Sequence, residues 1–448
     1  MTQKYILALR NERADSAVVR PYPNKADGEG VVLTYSFMTA LPETYWTGNG
    51  NPASSFEAYS ASERAVVRKA LAMISSVANV AFVETTQADS DFAFGQYNIP
   101  GMTIGYADPL DSWKATGDVT MQSQVWLDSR LGLTTQNVLH EVGHVLGLDH
   151  TDEGQHRLSR ADDNRSNTVM SYQGNAVNKL GPFDILALQE IYGAAPARTG
   201  NNTYVFGKDK LIWDGGGIDT ISAASAKKAV KIDLDNGSWN YIGSKSSSLS
   251  KDGQVILSNS ADIENLTGSR YNDNLSGNGL ANKMLGGSGN DRITGDAGDD
   301  RLYGQAGNDV LNGGLGNDYL NASSGNDQLI GGWGADVLIG GSGSDRFTFS
   351  APDHLGDLTS FDRIRDFTKS DKIDFRGMDA NPDAAGRQKL KFTGNFATDD
   401  HFSAGRKGEF YYNKVSDKLV FDFDGDNVAD HYFGVAGVNL MKSDYFLL

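Results

Sequence analysis

Apolar and polar residues alternate with different periods in different parts of this chain. From "VVLTYSF", residues 31–37, to about residue 198 the spacing is that of a mixed α/β unit. Ser60 and Glu63 are placed as a capping box, and Val67, Leu71, Ile74 and Val77 then recur along one face of a helix. The runs "VAFVET", "DFAFGQY" and "SQVWLD" read as strands. A second helix is expected around residue 140, and a third, "GPFDILALQEIYG", closes the unit near residue 193. Residues 1–30 are polar and unpatterned, which reads as a leader or short propeptide.

After "AAPARTG" the period changes. Asp291, Asp300, Asp309, Asp318, Asp327, Asp336 and Asp345 are spaced by nine without a gap, and an apolar residue follows two positions after each, from Ile293 to Phe347. The register extends back through Asn282, Asp273 and Glu264, with Met284, Leu275 and Leu266 at the apolar position. This is the nonapeptide pattern of a parallel β-roll, fullest in "GGSGNDRIT" and "GGLGNDYLN". Each repeat supplies a glycine turn, where positive φ is cheap, and a short strand with one inward side chain. Two repeats make one turn of the roll. A flexible linker has no reason to place an apolar residue at every ninth position. The aligned aspartates form a column that repels itself unless a hard cation with oxygen ligands neutralises it. Asn282 removes one charge, Asp296 replaces a glycine, and "ASSGND" lacks both leading glycines, so weaker ion sites are expected around Ala322 and Ser323. The earlier "GGGIDTIS" resembles an isolated repeat. "DFDGDNVAD", Asp422 to Asp430, has the look of a calcium loop but carries Phe433 where a bidentate glutamate is needed, and is read as a β-turn. The expected organisation is 1–30 leader, 31–198 first domain, 199–350 roll and 351–448 β-rich C-terminal region.

The second helix carries "HEVGHVLGLDH", in which three of the chain's seven histidines fall together. Residues four apart share a helical face about 6 Å apart along the axis, so His140 and His144 can hold one ion. Glu141 points about 100° away, beside that ion and able to take a proton from water. Gly147 can turn the chain back in a left-handed conformation, bringing His150 as a third ligand. Three neutral imidazoles with one open position describe a catalytic zinc site, not a closed structural one. His156 has no place in this spacing and reads as a loop residue.

Composition narrows the chemistry. Cysteine is absent, so no disulfide or thiolate site exists and metals must be held by nitrogen or oxygen. A net charge of -17 argues against nucleic acid and anionic membranes as partners and suits a cation binder. No apolar run is long enough to span a membrane, and the N-terminal apolar patch is too short for a signal-peptide core.

With the glycine and the third histidine included, "HEVGHVLGLDH" resembles the extended zinc signature of the metzincin endopeptidases. "TVMSY" downstream is similar to their methionine turn, and together with the repeats the chain resembles the serralysin-type secreted metalloproteases. That resemblance runs from about Val31 to Leu448. It implies an α+β metzincin catalytic domain followed by an all-β C-terminal domain with a parallel β-roll. It implies that Met170 underlies the zinc ligands and that Tyr172 binds zinc at rest and swings away when substrate enters. One catalytic zinc and several structural calcium ions, the latter on the seven aspartates, are then expected. Protein or peptide substrates would lie along an edge strand near "IGYADP". The expected partner set is a type I secretion apparatus reading a C-terminal signal in "SDYFLL", with room for a proteinaceous inhibitor, and the expected state is a secreted monomer. Thr151 stands where serralysins commonly have proline, and an N-terminal helix looks missing, which bears on cleft shape. A non-enzymatic calcium-binding surface protein with a vestigial protease domain is the rival; Glu141, the three histidines and Tyr172 are all present against it. Whether the substrate is bulk protein or one specific protein stays open.

Overall fold

A computed structural model describes residues 9, 28–42, 52–85, 90–101, 104–107, 123–152, 157–351, 359–379, 388–398, 402–403 and 405–448. Most of the expected leader, His156 and the Asp108–Pro109 end of the expected substrate edge lie outside the described residues. The chain divides into two compact units. One comprises the chain up to residue 199 with 210–216 and 246–261; the other comprises 200–209, 217–245 and 262–448.

The first unit is built on a five-stranded sheet of order β2-β1-β3-β5-β4. Its strands are β1 (Val31–Phe37), β2 (Val80–Glu84), β3 (Phe92–Tyr97), β4 (Gly105–Ala107) and β5 (Ser123–Asp128). β1, β2, β3 and β5 are mutually parallel, and β4 is antiparallel to β5 at the edge. Every residue of β3 and β5 is buried, as continuous runs in the middle of a covered parallel sheet should be. Helix α1 (Ala61–Ser75) begins at the Ser60–Glu63 capping box and buries Val67, Ala70, Leu71 and Ile74. It ends two residues before Val77, because the Val77 and Ala78 amides both turn back to the Ile74 carbonyl and lead the chain into β2. Val77, expected on the helical face, therefore sits half-buried outside the helix.

Helix α2 (Thr135–Val145) is capped by Thr134, whose hydroxyl accepts from the Asn137 amide. Its apolar face, Val138, Leu139, Val142 and Val145, is fully buried. Helix α3 (Pro182–Tyr192) starts with proline at its first position and buries eight of its eleven residues. Residues 246–261 belong to this unit through a strand, Gln254–Leu257, parallel to Leu211–Ile212. Ser248 and Ser250 in the same segment bond the Asp162 carboxylate and Asn167 amide.

The second unit is a two-sheet parallel β-roll with an 18-residue turn. One inward column runs Ile221, Leu266, Met284, Leu302, Leu320, Leu338, Ile364 and Val435. The other runs Ile232, Leu275, Ile293, Leu311, Leu329, Phe347, Ile373 and Phe446. All of these side chains are buried. "GGGIDTIS" is thus an integral turn of the stack through Ile221, not an isolated repeat. Past Asp345 the columns continue without a break, although 26 residues, not 18, now separate successive partners on each column. The chain's last strand, Phe446–Leu447, pairs in parallel with Lys372–Asp374 at the sheet's end. "DFDGDNVAD" connects two antiparallel strands, Lys418–Asp422 and His431–Val435, and the Gly425 and Asn427 amides satisfy Asp422.

At the second position of each glycine pair the backbone needs positive φ. Gly287, Gly314, Gly332 and Gly341 supply it, but Asp296, Gln305 and Ser323 hold φ of 75°, 77° and 74° there. A left-handed conformation costs a side-chain-bearing residue roughly 1–2 kcal/mol. Gln305→Gly and Ser323→Gly should each raise the unfolding free energy by about 1 kcal/mol, less what glycine's extra freedom in the unfolded chain takes back. Gly314→Gln should lower it. Urea unfolding in calcium measures all three, and a Gln305→Gly variant less stable than the wild type would contradict the strain.

Candidate metal centre

Three side chains meet because one helix turn and one bend place them so. His140 and His144 project from the same face of α2. At the helix end the Leu146 amide bonds the Val142 and Gly143 carbonyls, the Gly147 amide bonds the His144 carbonyl, and the Leu148 amide reaches back to the Gly143 carbonyl, 2.8 Å away. That closing pattern requires a residue of positive φ, and Gly147 has φ 89°. The reversal carries His150 to the other two. Its Nε2 lies 3.2 Å from Nε2 of His140 and 3.1 Å from Nε2 of His144. Ligands about 2.0–2.1 Å from a tetrahedral zinc are separated by roughly 3.3–3.4 Å, so this spacing fits one ion.

The far nitrogens of two rings are fixed by backbone. His140 Nδ1 donates to the Val169 carbonyl at 2.8 Å and His144 Nδ1 to the Leu148 carbonyl at 2.9 Å. Each ring thereby takes the tautomer whose Nε2 lone pair points into the cluster. Burial pulls the His140 ring down to about 4 and His144 to about 3, so both are neutral, and able to ligate, near pH 7.

Glu141 is fully buried on the adjoining face. Its Oε2 has no hydrogen-bond partner, and burial pushes its carboxyl up to about 8. A cation beside it favours the ionised form again, and an orphaned buried carboxylate oxygen is an acceptor awaiting a donor. Gly105 of β4 makes room for it, since a Cβ there would fall 2.8 Å from Glu141 Oε1. A cleft of about 280 Å³ opens between the edge strand (Ile104, Gly105), the start of α2 (Gln136, Asn137) and Val169, with His140, Glu141, Arg165 and Tyr172 in its wall. Tyr172 is half exposed, and its hydroxyl lies 2.7 Å from His150 Nε2.

Several supporting residues were not singled out from the sequence. Gly143, inside the histidine motif, leaves the space where the Met170 sulfur sits; a Cβ would be 2.7 Å from Sδ. Asp184 of α3 is buried and accepts from the Thr168 hydroxyl, the Val169 amide and the Gly181 amide. It thus fixes the segment whose Val169 carbonyl orients His140. Arg165 donates to the Ser171 carbonyl and holds the turn that carries Tyr172. Thr151, which the sequence had already marked, donates its hydroxyl to Asp163 and ties down the loop after the third histidine. Only the spacing of "GPFD" from "TVMSY" could have hinted at Asp184, and nothing in the local pattern marked it.

The seven ladder aspartates stand in two columns, not one. The backbone amide of each lies against the Oδ1 of the aspartate a turn later, as from Asp291 to Asp309 at 2.8 Å and from Asp300 to Asp318 at 2.8 Å. The other oxygen, Oδ2, is buried and has no partner in all seven. Burial pushes Asp291 and Asp300 up to about 7, and Asp318, Asp327 and Asp345 to about 6. Asn282, by contrast, satisfies itself: its oxygen accepts from the Asn278 amide and its nitrogen donates to the Glu264 carbonyl. In six repeats the residue five before the aspartate is glycine, where a Cβ would come within 2.1–2.5 Å of Oδ2. Ala322 puts a methyl at that place before Asp327. Two further aspartates extend the columns. Asp362 and Asp371 accept from the amides of Asp336 and Asp345, and Oδ2 of Asp362 is also orphaned. Their signal was present, since they too are nine apart with Ile364 and Ile373 two positions on, but the register shift after Asp345 hid it.

One unit thus brings three histidines together, and the other is a roll of nonapeptide turns. The RTX calcium-binding nonapeptide repeat model matches residues 285–320 and 312–347. The metallopeptidase AprA of Pseudomonas marginalis is 30% identical over 311 residues, 58% of this chain and 62% of the relative. Serralysin of Proteus mirabilis is 28% identical, covering 55% and 59%, and serralysin of Photorhabdus sp. (strain Az29) is 27% identical, covering 54% and 57%. The chain is related to the serralysin and AprA metalloproteases and carries RTX calcium-binding repeats. It spans about three fifths of the length of these curated relatives.

The Asp184 network yields a signed pH test. Burial raises its carboxyl to about 6, above an unfolded value near 3.8. Its contribution is therefore fully present below pH 4 and is lost as pH rises through 6, a swing of roughly 3 kcal/mol. In urea unfolding, the stability of the wild type relative to Asp184→Asn should fall by about that much between pH 4 and pH 7. A difference that is flat or rises would show that Asp184 is ionised in the folded protein throughout.

Proposed function

We propose that this chain is a zinc-dependent endopeptidase of the metzincin type, exported from the cell and stabilised outside it by calcium on its RTX repeats. The single observation that carries the reading is the convergence of three imidazole Nε2 atoms with the buried, unpartnered Glu141 oxygen beside them. His140, His144 and His150 would hold the zinc. When bound, it lowers the pKa of a water molecule and polarises the carbonyl to be attacked.

The chain's own residues supply the rest. Glu141 accepts the proton of the attacking water and passes it to the leaving amine. Tyr172, half exposed at the cleft's rim and 2.7 Å from His150 Nε2, would help to hold the zinc at rest and, turned away, would donate its hydroxyl to the oxyanion, contributing the stabilisation that oxyanion donors give. Substrate lies extended along β4, the sheet's free edge above α2, adding a strand. Met170, against Gly143, floors the histidines, and Gly147 directs the third of them. Asp291, Asp300, Asp309, Asp318, Asp327, Asp336 and Asp345 bind calcium through their orphaned Oδ2 atoms, with weaker binding next to Ala322. The catalytic domain is assigned to 31–198, the roll to 199–350, and the C-terminal region with a type I secretion signal to 351–448. The lack of a helix long and apolar enough to cross a membrane among the described residues, and of cysteine, is compatible with that route. Since ion binding supplies folding energy, low calcium before export would keep the roll unfolded for transit.

Purified protein should hydrolyse casein. Glu141→Ala should lose roughly 10²–10⁴-fold of that activity while retaining zinc by atomic absorption. Inert wild type with full zinc occupancy would favour a vestigial site. Removing calcium with a selective chelator should lower the thermal midpoint of the roll, because each site filled at 100-fold excess over its dissociation constant contributes about 2.7 kcal/mol. An unchanged calorimetric trace would remove calcium from the account.

A further inference from the structure

On the outer face of the second unit, three adjacent strands form a trough of positive charge. In register across the sheet stand Arg363, Gly434 and Lys418. Arg365 and Ala436, just past the ends of their strands, also line the groove, while Ile364 and Val435 point inward and are buried. On the central strand Gly434 carries no side chain, and the Arg363 stem leans across it, its Cγ 3.1 Å from where a Cβ would stand. Phe361 closes one end: the Arg363 guanidinium lies 4.6 Å and the Lys418 ammonium 4.5 Å from its ring centre, which holds both cations in place. The groove encloses about 620 Å³.

Arg363, Arg365 and Lys418 form no ion pair, whereas Arg346, Arg376 and Lys391 of the same unit each face a carboxylate. One acidic residue, Asp417, lines the groove, and its carboxylate accepts from the Tyr412 hydroxyl at 2.6 Å. Three unpaired cations against one engaged carboxylate, on a chain of net charge -17, make this a local inversion of the protein's field.

We infer that this groove binds a short acidic saccharide, one carrying sulfate or carboxylate groups on neighbouring sugars. Arg363 and Arg365, two residues apart, both line the groove, so that two anionic groups can be met at once, and guanidinium forks bind such oxyanions in bidentate fashion. The small side chain of Ala436 leaves room on the central strand for a ring face. An acidic peptide fits less well, because strand Arg363–Ile364 is paired on both sides and leaves no backbone edge for a peptide to join. A long polyanion or an anionic membrane would meet the surrounding negative charge.

The test is titration calorimetry of the calcium-loaded full chain at low ionic strength. The probes are a sulfated disaccharide, a uronate disaccharide, their neutral counterpart and a short glutamate peptide. Either acidic sugar is expected to bind at least about tenfold more tightly than the neutral sugar and the peptide, and the stronger of the two identifies the group recognised. Arg365→Ala combined with Lys418→Ala should weaken binding roughly 10- to 100-fold, with an unchanged thermal midpoint to show intact folding. Arg301→Ala, an exposed arginine elsewhere on the roll, should leave binding unchanged. No binding of either acidic sugar, equal binding of the neutral sugar or the peptide, or an equal loss in Arg301→Ala would each overturn the assignment.

Discussion

Two imidazole nitrogens 3.1 Å apart, each presenting a lone pair to the other, repel. A protein that gathers three of them must protonate one, turn one to the tautomer that carries its hydrogen on Nε2, or place a cation between them. Here protonation is disfavoured for His140 and His144, since burial lowers their pKa and the Val169 and Leu148 carbonyls already take their Nδ1 protons. The arrangement is thus a concentration of electron density that a positive centre would relieve. Around it lie Glu141, whose Oε2 has no donor, Tyr172 at the rim and β4 at the sheet's edge.

The same constraint governs the roll, by a different route. There the repeat brings carboxylates together, leaving one oxygen of each buried and unpartnered. Where the repeat departs from aspartate, the need disappears: Asn282 meets all its hydrogen bonds within the chain. Asp273, at the start of the stack, accepts from the Ser269 and Val230 amides and keeps neither oxygen free. Among the described residues the unbroken run of orphaned ladder oxygens extends from Asp291 to Asp362.

Much of this was legible in the sequence because it depends on spacing. Offsets of four and ten set the histidines, and a period of nine set the inward column from Leu266 to Phe347, both being consequences of backbone geometry alone. What the sequence hid depends on contacts between distant segments. Asp184 orders the Met170 turn from fourteen residues away, Gly105 admits Glu141 from another strand, and 246–261 folds with the first unit although it lies among roll-forming segments. The continuation through Asp362 and Asp371 escaped for a related reason: an eight-residue insertion breaks the count but not the stacking, since a loop can lengthen at little entropic cost while its ends stay in register.

Glycine has two distinct uses in this chain, a conformation at some positions and an absence of atoms at others. In the roll, glycine at the second turn position supplies a conformation, and Asp296, Gln305 and Ser323 can replace it at the cost of local strain. At Gly143 and Gly105 it supplies an absence of atoms, next to the Met170 sulfur and the Glu141 carboxylate. A side chain at either place would displace a group whose position within a few tenths of an ångström sets its chemistry. Repetition spreads the cost of a departure over many turns, whereas the histidine cluster occurs once among the described residues.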